Sequence, residues 1–266
     1  MIQPNPPRTK SRLTKELMIA LLLLLIPLGA TVAATVPAPA EYVIRGEMVP
    51  VRDVGVDGSV YISVVDSGIV TNWFERMAIA TIYRNDYPDI EFTRIPTGEV
   101  EAYLEDLTET ESLAYAVEQA VEQSESLPGD EDEAAETDGA AIEARTAEIL
   151  ANLDNYSGDS LGLMMAIGLY EEKHGINFSD KLDLEIAGTG TMETDGYVGP
   201  IGGLKHKLLG AEEAGIDLFF VPADYDWLGE AGNEAEAERL KEELRLTMTI
   251  VPVETLEEAI GYLQQS

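Results

Sequence analysis

Apolar positions along this chain form one long uninterrupted run near the N-terminus and many shorter, patterned segments after it. The long run, residues 17–36, contains no charged side chain in 20 residues. At about 1.5 Å per residue, a helix of that length reaches about 30 Å, the thickness of the hydrocarbon core of a bilayer. The pattern predicts a transmembrane anchor at 17–36.

Basic residues precede this run and set its expected orientation. The tail at 1–16 holds four basic residues and one acidic residue. They are Arg8, Lys10, Arg12, Lys15 and Glu16. Because positive charge favours the cytoplasmic side, we expect a cytoplasmic tail, one pass through the cell membrane and an extracytoplasmic body.

A cleaved signal peptide fits the same segment. Residues 17–28 would serve as its apolar core, and Thr31-Val32-Ala33-Ala34 offers the small residues of a cleavage site. Both interpretations place the body of the chain beyond the cytoplasmic membrane.

From residue 40 onward the hydrophobic pattern switches between a period of two and a period near 3.6, which predicts an α+β domain. Strands are expected at 60–65, 147–153, 184–187, 217–222 and 247–253. Helices are expected at 111–123, 161–170, 204–214, 234–245 and 254–264. The apolar segment 73–83 fits either a strand or a short helix.

An acidic segment divides this domain. Residues 124–144 contain Pro128-Gly129 and an unbroken acidic run at 130–133, a composition that buries too little apolar surface to become ordered. We predict a flexible loop at 124–144, between an N-terminal part at 40–123 and a second part at 145–266.

Charge and composition narrow the classes of function. The chain has 50 acidic and 17 basic residues, a formal net charge of −33. Such a surface repels a phosphate backbone, so nucleic acid is not an expected partner. The sequence has no cysteine, which excludes disulfides, thiolate nucleophiles and cysteine-ligated metals. No motif implies a cofactor or a metal.

The first candidate site is the segment Gly158-Asp159-Ser160-Leu161-Gly162. It precedes a predicted apolar helix, so backbone amides at Asp159 and Ser160 lie where a helix N-terminus could stabilise an oxyanion. Ser160 is then a candidate nucleophile, although one such short pattern more often marks a turn.

The second candidate site is Lys205-His206-Lys207, which follows Gly202-Gly203. Lysine is scarce in this chain, and a lysine held away from water has a lowered pKa and can act as a base. Ser160 with one of these two lysines would form a Ser/Lys dyad.

A different hydrolase remains open from the residues alone. The order Ser160, Asp195, His206 is that of the Ser/His/Asp triad in α/β-hydrolases. That fold needs a longer parallel sheet before the serine than the segment up to Leu153 provides. We therefore disfavour the triad and expect His206 on the solvent side of its helix.

Five motifs follow one another through the second half of the chain. They are Gly-x-Ser-x-Gly at 158–162, Ala-Gly-Thr-Gly-Thr at 187–191, Gly-x-Val-Gly-x-Ile-Gly-Gly-x-x-x-Lys at 196–207, Ala-Gly-Ile at 214–216 and Phe-Phe-Val-Pro at 219–222. In order and spacing they resemble the proteolytic domain of the Lon family. With Glu111-Ser112 opening an alanine-rich helix, the resemblance covers most of residues 40–264. It is greatest to the membrane-anchored, ATPase-free Lon-like proteases of Gram-positive bacteria.

The resemblance implies a fold and a chemistry. The fold is that of the Lon proteolytic domain, related to domain 2 of ribosomal protein S5, here preceded by one transmembrane helix. Ser160 corresponds to the nucleophile, Lys207 to the general base and Thr189 to the residue that helps to orient the lysine. Lys205 is expected at the surface. The implied activity is a serine endopeptidase that cuts exposed or unfolded membrane and extracytoplasmic polypeptides.

Three features depart from the family pattern. Asp159 and Leu161 stand where Pro and Ala are usual. An inward-facing Asp159 would oppose an oxyanion and raise the pKa of Lys207, and Leu161 would narrow the site. The 21 residues of 124–144 are too few for the PDZ domain that such proteases usually carry.

ATP-driven unfolding is also not expected, because no Gly-x-x-x-x-Gly-Lys-Ser/Thr motif occurs. The main alternative to an ATP-independent protease is a catalytically weak or inactive anchored binding module, which the departures at Asp159 and Leu161 favour. Lon family members tend to form rings, so the resemblance leaves a homo-oligomer open.

Overall fold

The computed structural model describes residues 10–96, 98–101, 111–127, 139–224 and 232–265. The chain forms two compact units. One consists of Met1–Tyr42 with Gly68–Val100, and the other of Val43–Ser67 with Glu101–Ser266. The sequence therefore enters each unit twice.

The first unit contains the long apolar helix. Helix α1 spans Lys10–Thr35, and its part Thr14–Thr35 is long and apolar enough to cross a membrane by length and composition. This fits the single transmembrane helix predicted at 17–36, although a signal sequence near the N-terminus passes the same test. The described end of the predicted tail, from Lys10 onward, is part of the helix.

A short helix, one whole strand and parts of two others complete the first unit. Helix α2 spans Trp73–Ile82, so the segment that fitted either a strand or a helix is helical. Strands β1, β2 and β3 span Pro37–Pro50, Tyr61–Asn72 and Glu91–Arg94. Strands β1 and β2 run through the unit boundaries in the sequence, and the amide of Ile95 donates to the Pro39 carbonyl at 3.0 Å.

Side chains fix the start of α2. Asn72 Oδ1 accepts a hydrogen bond from the Glu75 amide at 3.0 Å. The Glu75 carboxylate in turn accepts from the Thr71 amide at 2.6 Å and from the Thr71 hydroxyl at 2.8 Å. Such reciprocal bonds satisfy donors that a helix N-terminus leaves open.

The second unit contains all or part of five neighbouring strands of a six-stranded sheet, in the order β1-β2-β4-β7-β8. The added strands are β4 Ile186–Gly188, β7 Leu218–Pro222 and β8 Thr249–Val253, with β5 Thr191–Met192 and β6 Val198–Gly199 forming a separate antiparallel pair. The pairs β2/β4, β4/β7 and β7/β8 are parallel. Parallel neighbours require crossover connections, and helices supply them.

Seven described helices pack in this unit. They are α3 Glu111–Ser126, α4 Gly139–Leu150, α5 Gly162–His174, α6 Phe178–Leu182, α7 Leu204–Ala214, α8 Asn233–Leu244 and α9 Leu256–Gln265. Together with the sheet they confirm the predicted α+β class.

Alternation along the strands divides the core into two layers. On β7, Leu218 and Phe220 join a cluster with apolar residues of α3, α5 and α9. The intervening Phe219 and Val221 join a second cluster with residues of α7 and α8. The period of two therefore places helices on both faces of the sheet, as expected where strands are buried on each side.

Two sequence predictions around the acidic segment need correction. The strand predicted at 147–153 is wrong, because residues up to Leu150 belong to α4 and the chain then turns. Ile142, Ile149 and Leu153 contact the core at helical rather than alternating spacing. The predicted loop at 124–144 is too wide, since its two ends are helical; its middle, 128–138, lies outside the described residues.

Candidate active site

Ser160 lies in the turn that leads into α5. Gly158, two residues earlier, has a φ of +87°, a left-handed conformation that favours glycine. The amide of Gly162 closes the turn by donating to the Asp159 carbonyl at 3.1 Å. The side chain of Ser160 is half-buried, so its hydroxyl is held by a fixed backbone yet remains reachable.

Lys207 approaches Ser160 from the first turns of α7. Its side chain is 2% exposed, and its Nζ lies 2.7 Å from Ser160 Oγ. A second contact, 2.9 Å long, joins the same Nζ to Thr189 Oγ1. The structure thus brings together the serine, lysine and threonine that the sequence motifs singled out.

Thr189 follows β4 and is fully buried. Its hydroxyl donates to the Ser160 carbonyl at 3.1 Å, and the same carbonyl accepts from the amide of Gly190 at 2.9 Å. The proton of the threonine hydroxyl is therefore already used, so towards Lys207 this hydroxyl acts as an acceptor. A neutral Lys207 that donates one N–H to Thr189 can direct its lone pair at Ser160.

Burial lowers the pKa of Lys207 to about 7, and the nearby negative charge of Asp159 partly opposes this shift. Burial has the larger effect because it removes the water that stabilises an ammonium ion. Asp159 is half-buried, and its influence has the direction expected from the sequence. A sizeable neutral fraction of Lys207 therefore exists near pH 7.

A narrow cleft opens beside the Ser160 hydroxyl, with a volume of about 150 Å³. Its walls are part of β2, the turn before α5, and Lys207 itself. The lining residues are Ile62, Ser63, Val64, Val65, Asp66, Asn155, Tyr156, Ser157, Gly158, Ser160, Leu161 and Lys207. A larger hollow at α9, of about 870 Å³, contains neither Ser160 nor Lys207.

Where strand β2 lines this cleft, one of its edges is not paired with another described strand. Strand β4 ends at Gly188, which pairs with Ile62, so no described strand lies on that side of Ser63 and the residues after it. Ser63 is 1% exposed, and its hydroxyl has no hydrogen-bond partner among the described residues. Sequence reasoning missed Ser63, although a serine within the apolar run 60–65 was a visible signal.

Backbone amides beside Ser160 are available to a ligand. Within the described part of the chain, no hydrogen bond uses the amide of Asp159 or of Ser160. Both amides precede α5, where unsatisfied N–H groups and the helix dipole favour negative charge. They could bind a developing oxyanion.

Two neighbours of the site, Leu161 and His206, are buried. Leu161 is 5% exposed and belongs to the hydrophobic core as well as to the cleft wall. His206 is 2% exposed, so the expectation of a solvent-side histidine is wrong: α7 is covered by α8 on one side and approaches the cleft on another. Ser160 contacts Lys207, and no hydrogen bond joins Ser160 to His206 in the described structure.

Glycines allow the elements around Ser160 to approach closely. A Cβ at Gly162 would lie 2.6 Å from the Met192 amide nitrogen, and a Cβ at Gly190 would lie 2.5 Å from Val198 Cγ1. Both distances are shorter than van der Waals contact, so neither position has room for a side chain. The start of α5 therefore sits directly on the β5–β6 pair.

The described residues contain no group of three or more His, Asp or Glu side chains placed to hold a metal ion. The chemistry available at the site consists of a serine hydroxyl, a buried amine, a threonine hydroxyl and backbone amides. This set suits acyl transfer through a covalent intermediate.

Comparison with known proteins gives a consistent result. Residues 155–265 match the Lon protease (S16) C-terminal proteolytic domain. The Lon protease of Clostridium beijerinckii is 32% identical over 120 residues, which is 45% of this chain and 14% of that protein. Lon protease 1 of Sorangium cellulosum is 38% identical over 104 residues, 39% of this chain and 11% of that protein. The match thus spans only a small part of these much longer relatives.

Proposed function

Residues 155–265 belong to the Lon protease (S16) C-terminal proteolytic domains, and on this premise we propose that the chain is a membrane-anchored, ATP-independent serine endopeptidase. Ser160 is its nucleophile and Lys207 its general base. The observation that carries the proposal is the 2.7 Å contact between Lys207 Nζ and Ser160 Oγ at a buried site.

In the first step, neutral Lys207 accepts the Ser160 hydroxyl proton while Oγ bonds to the carbonyl carbon of the substrate. The carbonyl oxygen becomes an oxyanion, which the amides of Asp159 and Ser160 stabilise. The ammonium of Lys207 then gives its proton to the leaving amine as the C–N bond breaks, and an acyl-enzyme remains.

Water completes the cycle. It attacks the acyl carbon and loses a proton to Lys207, and the lysine returns that proton to Ser160 Oγ as the ester bond breaks. Through both steps Thr189 Oγ1 accepts a hydrogen bond from Lys207, which keeps the amine aimed at the serine. Positioning of this kind is a recognised source of rate acceleration.

The substrate is an extended polypeptide that adds to the open side of β2. Residues 63–66 of that strand line the same cleft as Ser160. Main-chain hydrogen bonds to a strand edge tolerate many sequences, which suits an enzyme for exposed or unfolded segments. The narrow cleft and the absence of an ATP-binding motif from the sequence favour unfolded over folded substrates.

The alternative is an anchored binding module with little or no catalysis. One observation favours it: Asp159 places a carboxylate beside the amides that would bind the oxyanion and opposes the lowering of the Lys207 pKa. Burial outweighs that influence, so we rank the protease first.

The test is cleavage of casein, an unfolded protein substrate, by the full chain in detergent micelles. We expect the wild type to cleave, and both Ser160→Ala and Lys207→Arg to lose cleavage, because arginine fills a similar position but cannot deprotonate. His206→Gln is the matched control and retains activity. Loss with His206→Gln would point to a triad, and an inactive, folded wild type would favour the binding module.

A further inference from the structure

Helix α2 exposes an apolar face that no described residue of its own unit covers. None of its ten residues is buried. Trp73, Phe74 and Met77 are 54%, 45% and 60% exposed, and with the exposed Thr81 they fall within an arc of about 100° at 3.6 residues per turn. An apolar stripe of this width normally faces a partner.

The polar group within this stripe is already satisfied. The Thr81 hydroxyl donates to the Met77 carbonyl at 2.7 Å. Two threonines of α1 do the same, since the hydroxyls of Thr31 and Thr35 donate to the carbonyls of Pro27 and Val32 at 2.8 and 3.0 Å. Internal satisfaction of hydroxyl groups is what a surface without water requires.

Helix α2 is in contact with α1 inside the first unit. The apolar part of α1, Thr14–Thr35, is exposed along its length. Helix α2 therefore touches a helix whose surface is already suited to lipid, and a bilayer that surrounds α1 lies within reach of α2.

Aromatic and basic side chains border the stripe. The Arg76 guanidinium lies 5.7 Å from the centre of the Trp73 ring and 4.8 Å from that of Phe92. Tyr83 and Tyr87 follow, with ring centres 5.5 Å apart. Rings with a polar tip and basic groups with apolar stems are the side chains that concentrate at the boundary between lipid and water.

We propose that α2 is a second membrane-contact element, which lies in the plane of the lipid–water interface with Trp73, Phe74 and Met77 inserted among the acyl chains. The proposal rests on the membrane anchor of the proposed function but not on the protease chemistry. The bilayer is chosen over a second protein because α2 contacts α1, whose exposed apolar length is itself suited to lipid.

The test uses tryptophan fluorescence of the full chain in phosphatidylcholine vesicles. The sequence has two tryptophans, so Trp227→Phe leaves Trp73 as the single emitter. Because an interfacial helix sinks about 5–10 Å into the boundary, we expect emission to fall about two-fold when the lipid carries bromine on its acyl chains. Unbrominated lipid is the control, and Met77→Asp should reduce the quenching.

Two further readings separate the outcomes. Resistance to alkaline carbonate extraction reports the anchor alone, and quenching by aqueous iodide reports exposure of Trp73 to water. A carbonate-resistant protein whose Trp73 is quenched by iodide and not by bromolipid would overturn the proposal while the anchor stands. Protection from both quenchers would overturn it in favour of a protein partner such as a second copy. Release by carbonate would overturn the anchor and this proposal together, and casein cleavage would be unaffected.

Discussion

The hydroxyl of Thr189 donates a hydrogen bond to the carbonyl oxygen of Ser160 at 3.1 Å. This one bond joins the end of β4 to the turn before α5, and it also decides how Thr189 meets Lys207. With its proton committed to Ser160, the hydroxyl offers Lys207 only lone pairs. In the proposed mechanism, Thr189 would therefore set the direction of the lysine lone pair as well as the position of the amine.

Replacing Thr189 by valine keeps the side-chain shape and removes both hydrogen bonds. We expect kcat to fall by about 10- to 100-fold with a smaller change in KM, because a misdirected base affects the transition state more than substrate binding. Thr189→Ser restores the hydroxyl and should recover most of the activity. Steady-state cleavage of a fluorogenic peptide measures the difference, and equal kcat values for the valine and serine variants would contradict the role given to the hydroxyl.

The activity of the wild type should rise with pH through about 7, the value to which burial lowers the pKa of Lys207. Below that pH the lysine is protonated and cannot accept the serine proton, so the rate falls as protons are added. A profile of kcat/KM between pH 5 and 11 measures this rise. A rise centred near the ordinary pKa of lysine, around 10.4, would contradict it.

Replacing Asp159 by asparagine should move the rise of kcat/KM to lower pH. The negative charge of Asp159 raises the pKa of Lys207, so its removal leaves burial unopposed and the lysine loses its proton more readily. The oxyanion should also be better stabilised, which predicts a higher limiting rate. Asp154→Asn replaces an exposed carboxylate five residues earlier in the chain; it is the control and should leave the profile in place.

Lys207→Met should abolish cleavage and stabilise the fold. Between about pH 7 and 10.5 the unfolded chain binds a proton at Lys207 that the folded chain does not, so wild-type stability rises with pH across this window. The variant lacks this dependence. We therefore expect a gain in unfolding free energy on the order of a few kcal/mol at pH 6 that shrinks by pH 9. Denaturant unfolding in micelles at both pH values tests this, with Lys205→Met as the control.

Leu161→Ala should change both stability and substrate choice. Leu161 is a core residue that also lines the cleft, and its truncation should cost about 2–5 kcal/mol while widening the space beside Ser160. Leu163→Ala removes an equally buried leucine that does not line the cleft. Both variants should unfold more easily, but only Leu161→Ala should improve cleavage of peptides with bulkier side chains at the scissile bond.

The elements best predicted from the sequence carry their own end signals. Helix α7 was expected at 204–214 and occupies Leu204–Ala214, since a Gly pair precedes it and Gly215, with φ of +77°, ends it. The strand predicted at 147–153 is wrong because these seven residues fit an alternating pattern by themselves. The helical spacing becomes visible only over a longer window that extends back to Ile142. Short windows leave the two periods hard to separate.

Within the site, some features could be predicted from local sequence signals, whereas others depend on tertiary packing. The turn around Ser160 and the lysine on α7 were visible in the sequence, because glycines and a scarce basic residue mark them. The burial of His206 was not visible, since it depends on elements that approach α7 from distant parts of the chain. The same is true of Ser63, which reaches the cleft only because β4 stops at Gly188.

The close approach at Gly162 and Gly190 has a consequence for large-scale mutagenesis. A side chain at Gly162 would push α5 away from β5, and one at Gly190 would clash with Val198 of β6. A library selected for proteolysis alone would therefore reject these positions as strongly as Ser160. Variants at Gly162 or Gly190 should pack poorly and be degraded in the cell, whereas Ser160 variants should accumulate normally. Measuring protein abundance as well as activity would therefore separate positions needed for packing from positions needed for catalysis, without reference to a structure.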